Sequence, residues 1–204
     1  MIEALAGDRA TGDFVRQAFT DVRAFDELVR AAEGVPRDAI YVAGKAALSA
    51  GDSTISVPEV RSAARWWFQT DKEADVQQQP LASKLLNWLV DEVIRGKRAR
   101  GFLVNQKSAG SRLILDLFEA RVLHLSRRGY SAQDEPGERY DVWMIDYGAY
   151  VDLLHTKFEP QGALPTEDGY VDVPTSDLRA IRRAILDLDV FMAAQGDLDQ
   201  ASSG

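Results

Sequence analysis

The residue types best placed to do chemistry in this sequence are arginines and lysines. In Ala32-Glu33-Gly34-Val35-Pro36-Arg37-Asp38-Ala39-Ile40 a glycine ends one apolar-periodic stretch and a proline opens the next. Proline suits the first turn of a helix, where its missing N–H would be unsatisfied in any case. Arg37 then stands beside the free N–H groups of a helix start, and a planar, permanently charged guanidinium next to that partial positive charge suits phosphate. Spacing alone also fits an ordinary proline-started helix with an exposed arginine. A second concentration of cations runs from residue 95 to 128, where Arg95, Lys97, Arg98, Arg100, Lys107, Arg112, Arg121, Arg127 and Arg128 face only two acids, Asp116 and Glu119. The local charge is +7 in a chain of net charge −8, which leaves −15 for the remainder. A basic module inside an acidic protein is the pattern expected where one face meets phosphate. Arg98, Arg100, Lys107, Arg112, Arg127 and Arg128 are therefore the candidates for DNA contact. Docking of an acidic protein domain and plain solvation are the alternatives, and Asp134 and Glu135 close by would repel phosphate.

Other chemistries find little support. There is no cysteine, which removes disulfides, thiolate metal sites and cysteine nucleophiles. The two imidazoles, His124 and His155, are isolated, and no serine has the spelling of a nucleophile elbow. Gly44-Lys45 lacks the preceding glycine and the following Ser or Thr of a phosphate loop and lies inside a helical pattern. No catalytic residue, no metal site and no cofactor are expected in this chain, and His124 is expected on the solvent or interface side of a strand. No segment approaches the apolar length of a membrane span, and the expected compartment is the cytoplasm.

The 204 residues hold one or two domains, and 46% hydrophobic with 27% charged residues is the balance of a chain that buries a core. Phe14, Ala18, Val22, Phe25, Leu28, Val29 and Ala32 recur at helical spacing over residues 13–33. A second helix is predicted from Pro36 to Ala50 with Ala39, Ile40, Ala43 and Ala47 inward. A third follows Ser56-Val57-Pro58-Glu59, a capping-box spelling, with Val60, Ala63, Ala64, Trp67 and Phe68 on its stripe. Asp71 to Pro80 reads as a linker because apolar periodicity stops there. Leu81 to Val93 gives a long helix ending near Gly96, Phe102-Leu103-Val104 a strand, and Leu113, Ile114, Leu117 and Phe118 the inward side of a helix from Arg112. Alternation then gives two strands, around Leu123 to Leu125 and Tyr140 to Met144, joined by a long tip from Arg127 to Glu138. Tyr150, Val151 and Leu154 begin a short helix. A last helix is predicted from Thr175 or Ser176 with Leu178, Ile181, Ile185, Leu188 and Met192 on one face, and Gly196 to Gly204 reads as a disordered tail. Helix, strand, helix, strand, long loop, strand is the order of a winged-helix domain, with a turn from Asn105 to Ser111 in place of one helix.

The Gly34 to Ile40 turn resembles the start of a helix in the lid subdomain of AAA+ ATPases, where an arginine called sensor 2 lies over the nucleotide phosphates. Arg121-Val122-Leu123-His124, Arg128-Gly129-Tyr130-Ser131, Pro136-Gly137-Glu138-Arg139-Tyr140-Asp141-Val142 and Ile145-Asp146-Tyr147-Gly148-Ala149-Tyr150-Val151 resemble the carboxy-terminal winged-helix region of bacterial P-loop ATPases related to origin-recognition initiator AAA+ proteins. The two likenesses together cover about residues 10 to 156. They imply a mainly α chain: a helical lid-like module over 1–74, a winged-helix-like domain with a small β-hairpin over 77–156, and a carboxy-terminal extension over 157–204. They also imply a sensor-2-like role for Arg37. The family places its Walker A and Walker B core ahead of these modules and this sequence has neither, so the chain is expected to be an excised fragment or to meet its nucleotide site elsewhere. ATP and Mg are implied only for that core. The partners implied are an ATPase core in the same or another chain, double-stranded DNA and further copies of the chain, with no membrane. The alternative is a protein-interaction or oligomerisation module whose wing and Trp66-Trp67 bind a neighbour.

Overall fold

The computed structural model describes residues 12–97, 99–131, 137–151 and 184–201. It is mainly helical with one small four-stranded sheet, and among the described residues no helix is long and apolar enough to cross a membrane. The chain divides into two compact units, Met1–Asp71 with Tyr147–Asp152, and Lys72–Asp146 with Leu153–Gly204. The division falls at the head of the stretch read as a linker, and the segment after Asp146 clusters with the first unit.

In the first unit α1 (12–18) and α2 (Val22–Ala32) stand where one helix was expected over 13–33. The break is tertiary in origin. Phe19 forms a parallel bridge with Ile55, Thr20 N donates to the Ile55 carbonyl at 2.9 Å, and Asp21 caps α2 by accepting from Ala24 N at 3.0 Å. Phe14 and Val22, expected inward, are exposed, while Val15 and Phe19 are buried in their stead. Glu33 and Gly34 take left-handed backbone, at φ 50° and 77°, and Pro36 starts α3 (Pro36–Ala50) as expected. The buried side of α3 is Asp38, Val42 and Ala46, one position before the predicted Ala39, Ala43 and Ala47, and the predicted Ile40 is exposed. Asp38 causes the rotation: its carboxylate accepts Trp67 Nε1–H at 3.0 Å, so a charged residue takes a core position and Ile40 and Ala47 turn outward. α4 (Val57–Trp67) carries the capping box, with Ser56 N donating to Glu59 at 3.0 Å, and the Ser56 hydrogen bonds hold the Glu59 carboxyl below its ordinary range.

α4 does not end in a loop. A π-helical turn, Phe68–Lys72, leads into α5 (Glu73–Gln77), so most of the expected linker is helical. Its inward positions are Lys72 and Val76, and a buried lysine breaks the apolar pattern that would have shown the helix. In the second unit α6 (Pro80–Leu89) passes into a second π-helical stretch, Val90–Gly96. A Cβ on Gly96 would lie 3.1 Å from the Asp91 carbonyl, and the chain leaves the helix there.

β1 (Gly101–Asn105) follows, then a single helical turn α7 (Gln106–Ala109), α8 (Arg112–Glu119), β2 (Leu123–Tyr130) and β3 (Tyr140–Ile145). α9 (Tyr147–Val151) belongs to the first unit. β4 is Ile185–Leu186, and α10 is Leu188–Ala201. The sheet order is β2-β3-β1-β4, with β1 and β2 antiparallel to β3 and β4 parallel to β1. Phe102, Leu103 and Val104 are all buried, which is why β1 reads as an unbroken apolar run. Ile114 and Leu117 of α8 are buried as expected, whereas Phe118 is exposed with its ring edge-on to Trp143, centroids 5.7 Å apart. Ile185 was expected on a helix. It is a strand residue because β1 offers a free edge, and Leu103 N donates to the Ala184 carbonyl at 2.9 Å. α10 continues to Ala201, past the Gly196 at which disorder was expected. Leu154, the helix start at Thr175 or Ser176, Leu178 and Ile181 lie outside the described residues.

Each unit holds a buried ionic network. In the first, Glu27 pairs with Arg61 Nε at 2.5 Å and Arg30 at 2.7 Å and accepts a hydrogen bond from the Tyr147 hydroxyl. Burial, and then the negative charge of Glu27, push the Tyr147 hydroxyl upward. In the second, Lys72 is 1% exposed and its ammonium pairs with Asp146, whose Oδ2 also lies 3.4 Å from His124 Nε2. Burial alone would push the Asp146 carboxyl up, but His124 and Lys72 outweigh it and hold it below its ordinary range.

Glu27→Ala leaves two arginines and a phenol without their buried acceptor, and urea unfolding is expected to register a loss of about 3–5 kcal/mol. Glu27→Gln, which keeps an acceptor, should fall between that and the parent. For Asp146 the folded carboxyl titrates below the unfolded one, so its contribution is complete above about pH 4 and is lost as pH falls through the folded value. Lys72→Met removes one of the two groups that hold the carboxyl down and leaves His124, and the acid-unfolding midpoint followed by circular dichroism is expected to move to higher pH. An unchanged midpoint would show that Lys72 does not hold the carboxylate.

Candidate functional site

The cations singled out between residues 95 and 128 meet different fates. Arg98 lies outside the described residues. Arg100 is only 9% exposed, and its Nε donates to the Ile145 carbonyl at 2.7 Å. It ties β1 to the end of β3 and is withdrawn from any surface contact, so its assignment to DNA contact is corrected. Lys107 is exposed on α7, placed there by Asn105, whose side chain accepts from Lys107 N at 2.9 Å. Its ammonium pairs with Glu138 at 2.8 Å, and Lys107 and Asn105 together hold the Glu138 carboxyl below its ordinary range. Arg112 opens α8 and reaches Asp116 at 2.7 Å and Glu119 at 3.5 Å, one turn and two turns along the same helix. Both lysine and arginine are exposed, but each already carries an acidic partner.

Arg127 and Arg128 are the exposed pair. Neighbours on a regular strand point to opposite faces, yet Ser126, Arg127 and Arg128 are all exposed. The register explains it. Leu125 faces Trp143, Arg127 faces Val142 and Tyr130 faces Tyr140, so β2 carries an extra residue at each of two steps. Such bulges bend a strand and re-aim its side chains. Gly129 takes φ 65°, a left-handed conformation that glycine tolerates, and its N–H donates to Asp141 Oδ1 at 3.1 Å. The same oxygen accepts from Gln106 Nε2 at 2.8 Å, and Asp141 is buried. One carboxylate thus fixes the bulge that turns both arginines outward. Arg127 also lies over the Tyr130 ring at 5.9 Å. β2 continues to Tyr130 where a loop was expected from Arg127, and Asp134 and Glu135 lie outside the described residues.

Asp141 and Gln106 carry this arrangement with Gly129, and neither was given a role from the sequence. The readable signal was Gly129, a glycine immediately after a basic pair within a strand, which marks a bulge as well as a turn.

In the first unit Arg37 sits at the start of α3 with its side chain 53% exposed. Its guanidinium donates to Asp71 at 2.7 Å and lies 5.3 Å from the Trp67 ring and 5.8 Å from the Tyr41 ring. Tyr41 and Trp67 stack at 4.2 Å and 7°. The two adjacent tryptophans separate: Trp67 is buried and bonded to Asp38, so it is corrected from contact residue to core residue. Trp66 stays exposed beneath the Lys45 ammonium, 5.1 Å from its ring. His124 is half-buried on β2, with its Nε2 3.4 Å from Asp146 Oδ2. The second unit also has an open groove of about 680 Å³ lined by Leu81, Leu113 and Met192, with the Arg112–Asp116 pair on its wall.

Asp141→Ala removes the acceptor of Gly129 N–H and Gln106, and a stability loss of about 1–3 kcal/mol is expected. Amide exchange should accelerate at Gly129 and Tyr130 more than in α8, a local pattern that general destabilisation would not produce. No protein-family model matches this chain, and no curated protein and no solved structure matches it.

Proposed function

We propose that this chain is a non-catalytic carboxy-terminal region of an AAA+-type P-loop ATPase whose second unit contacts duplex DNA as a winged-helix-like module. The observation that carries the reading is the Arg127-Arg128 pair, both turned outward on a hairpin bulge held by Asp141. The element order supports it: a helix, β1, a helix and a hairpin whose second strand lies against β1. Arginine presents planar donors that match phosphate oxygens, and two of them at one bulge address adjacent phosphates more readily than a scattered charge would. Lys107 and Arg112 play a secondary part, since phosphate must first displace Glu138, Asp116 or Glu119. Arg37, at the head of α3, is the residue this reading assigns to a nucleotide phosphate, and its ion pair with Asp71 is what a phosphate would replace. ATP and Mg belong to the ATPase core, not to these residues.

Binding of the full 204-residue chain to a duplex oligonucleotide, followed across salt, tests the reading. Each phosphate neutralised contributes about −0.9 to the log–log slope. Arg127→Ala with Arg128→Ala is expected to weaken binding and flatten the slope by about 2. Absence of binding at low salt, or a slope unchanged in the double variant, would remove the proposal.

A further inference from the structure

We propose that the outer face of α3 and α4 in the first unit is a docking surface for an acidic amphipathic helix of a partner protein. Four observations converge there. The first is apolar exposure: Leu48 is 82% and Ile40 71% exposed, and Tyr41 and Trp66 are exposed beside them. Ile40, Tyr41, Gly44, Lys45 and Leu48 recur at three- and four-residue spacing, so they form one stripe along α3. Large apolar side chains gathered on one face, rather than scattered singly, mark a surface used for contact.

The second is the state of the aromatic cluster. Trp67 anchors it in the core, Tyr41 stacks on Trp67 at 4.2 Å, and Trp66 lies 6.0 Å away at the surface. The exposed rings are therefore held rigidly and lose little freedom when covered, as suits an interface anchor.

The third is Gly44. It lies in the middle of a fifteen-residue helix, where glycine is less favourable than alanine by about 0.5–1 kcal/mol. Among the described residues nothing requires it: its φ is not in the left-handed range, and a Cβ placed on it meets no atom of them within 4 Å. It leaves a bare stretch of backbone facing outward between Ile40 and Leu48, the side chains one turn before and after it. A glycine that costs helix stability and relieves no internal crowding is accounted for if another backbone or a bulky side chain approaches from outside.

The fourth is charge, which selects the occupant. Between Arg37 and Leu48 the one acid, Asp38, is buried, and from Val60 to Thr70 there is none. Arg37 is already paired with Asp71, so the cations that border the stripe are Lys45, half-buried over Trp66, and the exposed Arg65, in a chain whose net charge is −8. A cationic rim around an apolar stripe complements a helix with acidic flanks and apolar anchors and disfavours a basic one. The surface belongs to the first unit, and its assignment does not rest on the DNA reading of the second.

The probe is a labelled helical peptide of about 20 residues built from leucine on one face and glutamate on the other. Two controls accompany it, one with lysine in place of glutamate and one with serine in place of leucine. Fluorescence anisotropy against the full chain is expected to show binding of the Glu/Leu peptide, with Trp66 emission changing in step. Leu48→Asp and Lys45→Glu, both at surface positions, should each weaken it about tenfold or more. Lys45→Glu should gain affinity for the Lys/Leu control. Gly44→Ala should separate the two roles of the glycine, raising the thermal midpoint while weakening the peptide. Equal binding of either control, or affinity in Leu48→Asp and Lys45→Glu within about twofold of the parent, would overturn the proposal. So would a concentration-dependent dimer abolished by Leu48→Asp, which would give the face to a second copy, or preferential binding of a single-stranded oligonucleotide to it.

Discussion

Two consecutive side chains, Asp146 and Tyr147, each complete a buried polar network, one in each unit. Asp146 receives the Lys72 ammonium, and Lys72 and Asp146 are the first and last residues of the long segment of the second unit. The ion pair therefore closes a loop of chain that contains β1, α8 and the hairpin, and it does so in a place where neither charge has water to fall back on. Tyr147 delivers its hydroxyl to Glu27, which already holds Arg30 and Arg61 from two helices of the first unit. A strand that ended one residue early or late would leave a charged group buried without a partner in both units. That cost, several kcal/mol for each unpaired ion, sets the exit of β3 more tightly than apolar burial can.

The same device recurs at each of the two proposed contact surfaces. Asp38 takes a core position on α3 because Trp67 donates to it, and the resulting rotation turns Ile40 outward and seats Tyr41 against Trp67. Asp141 takes a core position on β3 because Gly129 and Gln106 donate to it, and the resulting bulge turns Arg127 and Arg128 outward. In both places a buried carboxylate decides which neighbours must be exposed. An apolar residue at either position would fill the space but would accept any register, whereas a carboxylate is satisfied only by the donors that one register supplies.

This explains which parts of the structure could be read from residues alone. The capping box at Ser56, the proline start of α3, the turn at Gly34, the strands β1 and β3 and the start of β2 are local or periodic features, and they stand close to where their spelling puts them. The misreadings involve partners distant in sequence. The break at Phe19 depends on Ile55, the rotation of α3 on Trp67, the helix through Lys72 on Asp146, and the strand at Ile185 on the free edge of β1. Each places a polar or apolar residue where its own neighbours would not, and periodicity averages over such exceptions. For the site, the cationic character of the 95–128 segment was legible, but which cations remain available was not. Arg100 is turned inward and Lys107 and Arg112 are paired by residues whose proximity only the fold creates.

The sign of the charge then connects the two surfaces. An acidic protein repels polyanions at long range, so the DNA contact proposed for the hairpin would act at short range and weaken as salt screens the arginines. The face of α3 and α4 is different in kind, because its apolar stripe contributes area that salt does not weaken. Contacts made through Arg127 and Arg128 should therefore be governed by ionic strength. Contacts made through Ile40, Leu48 and Trp66 should be governed by shape, with Lys45 choosing among partners of similar shape. If both proposals hold, the first unit would keep a protein partner while the grip of the second on DNA varied with ionic strength.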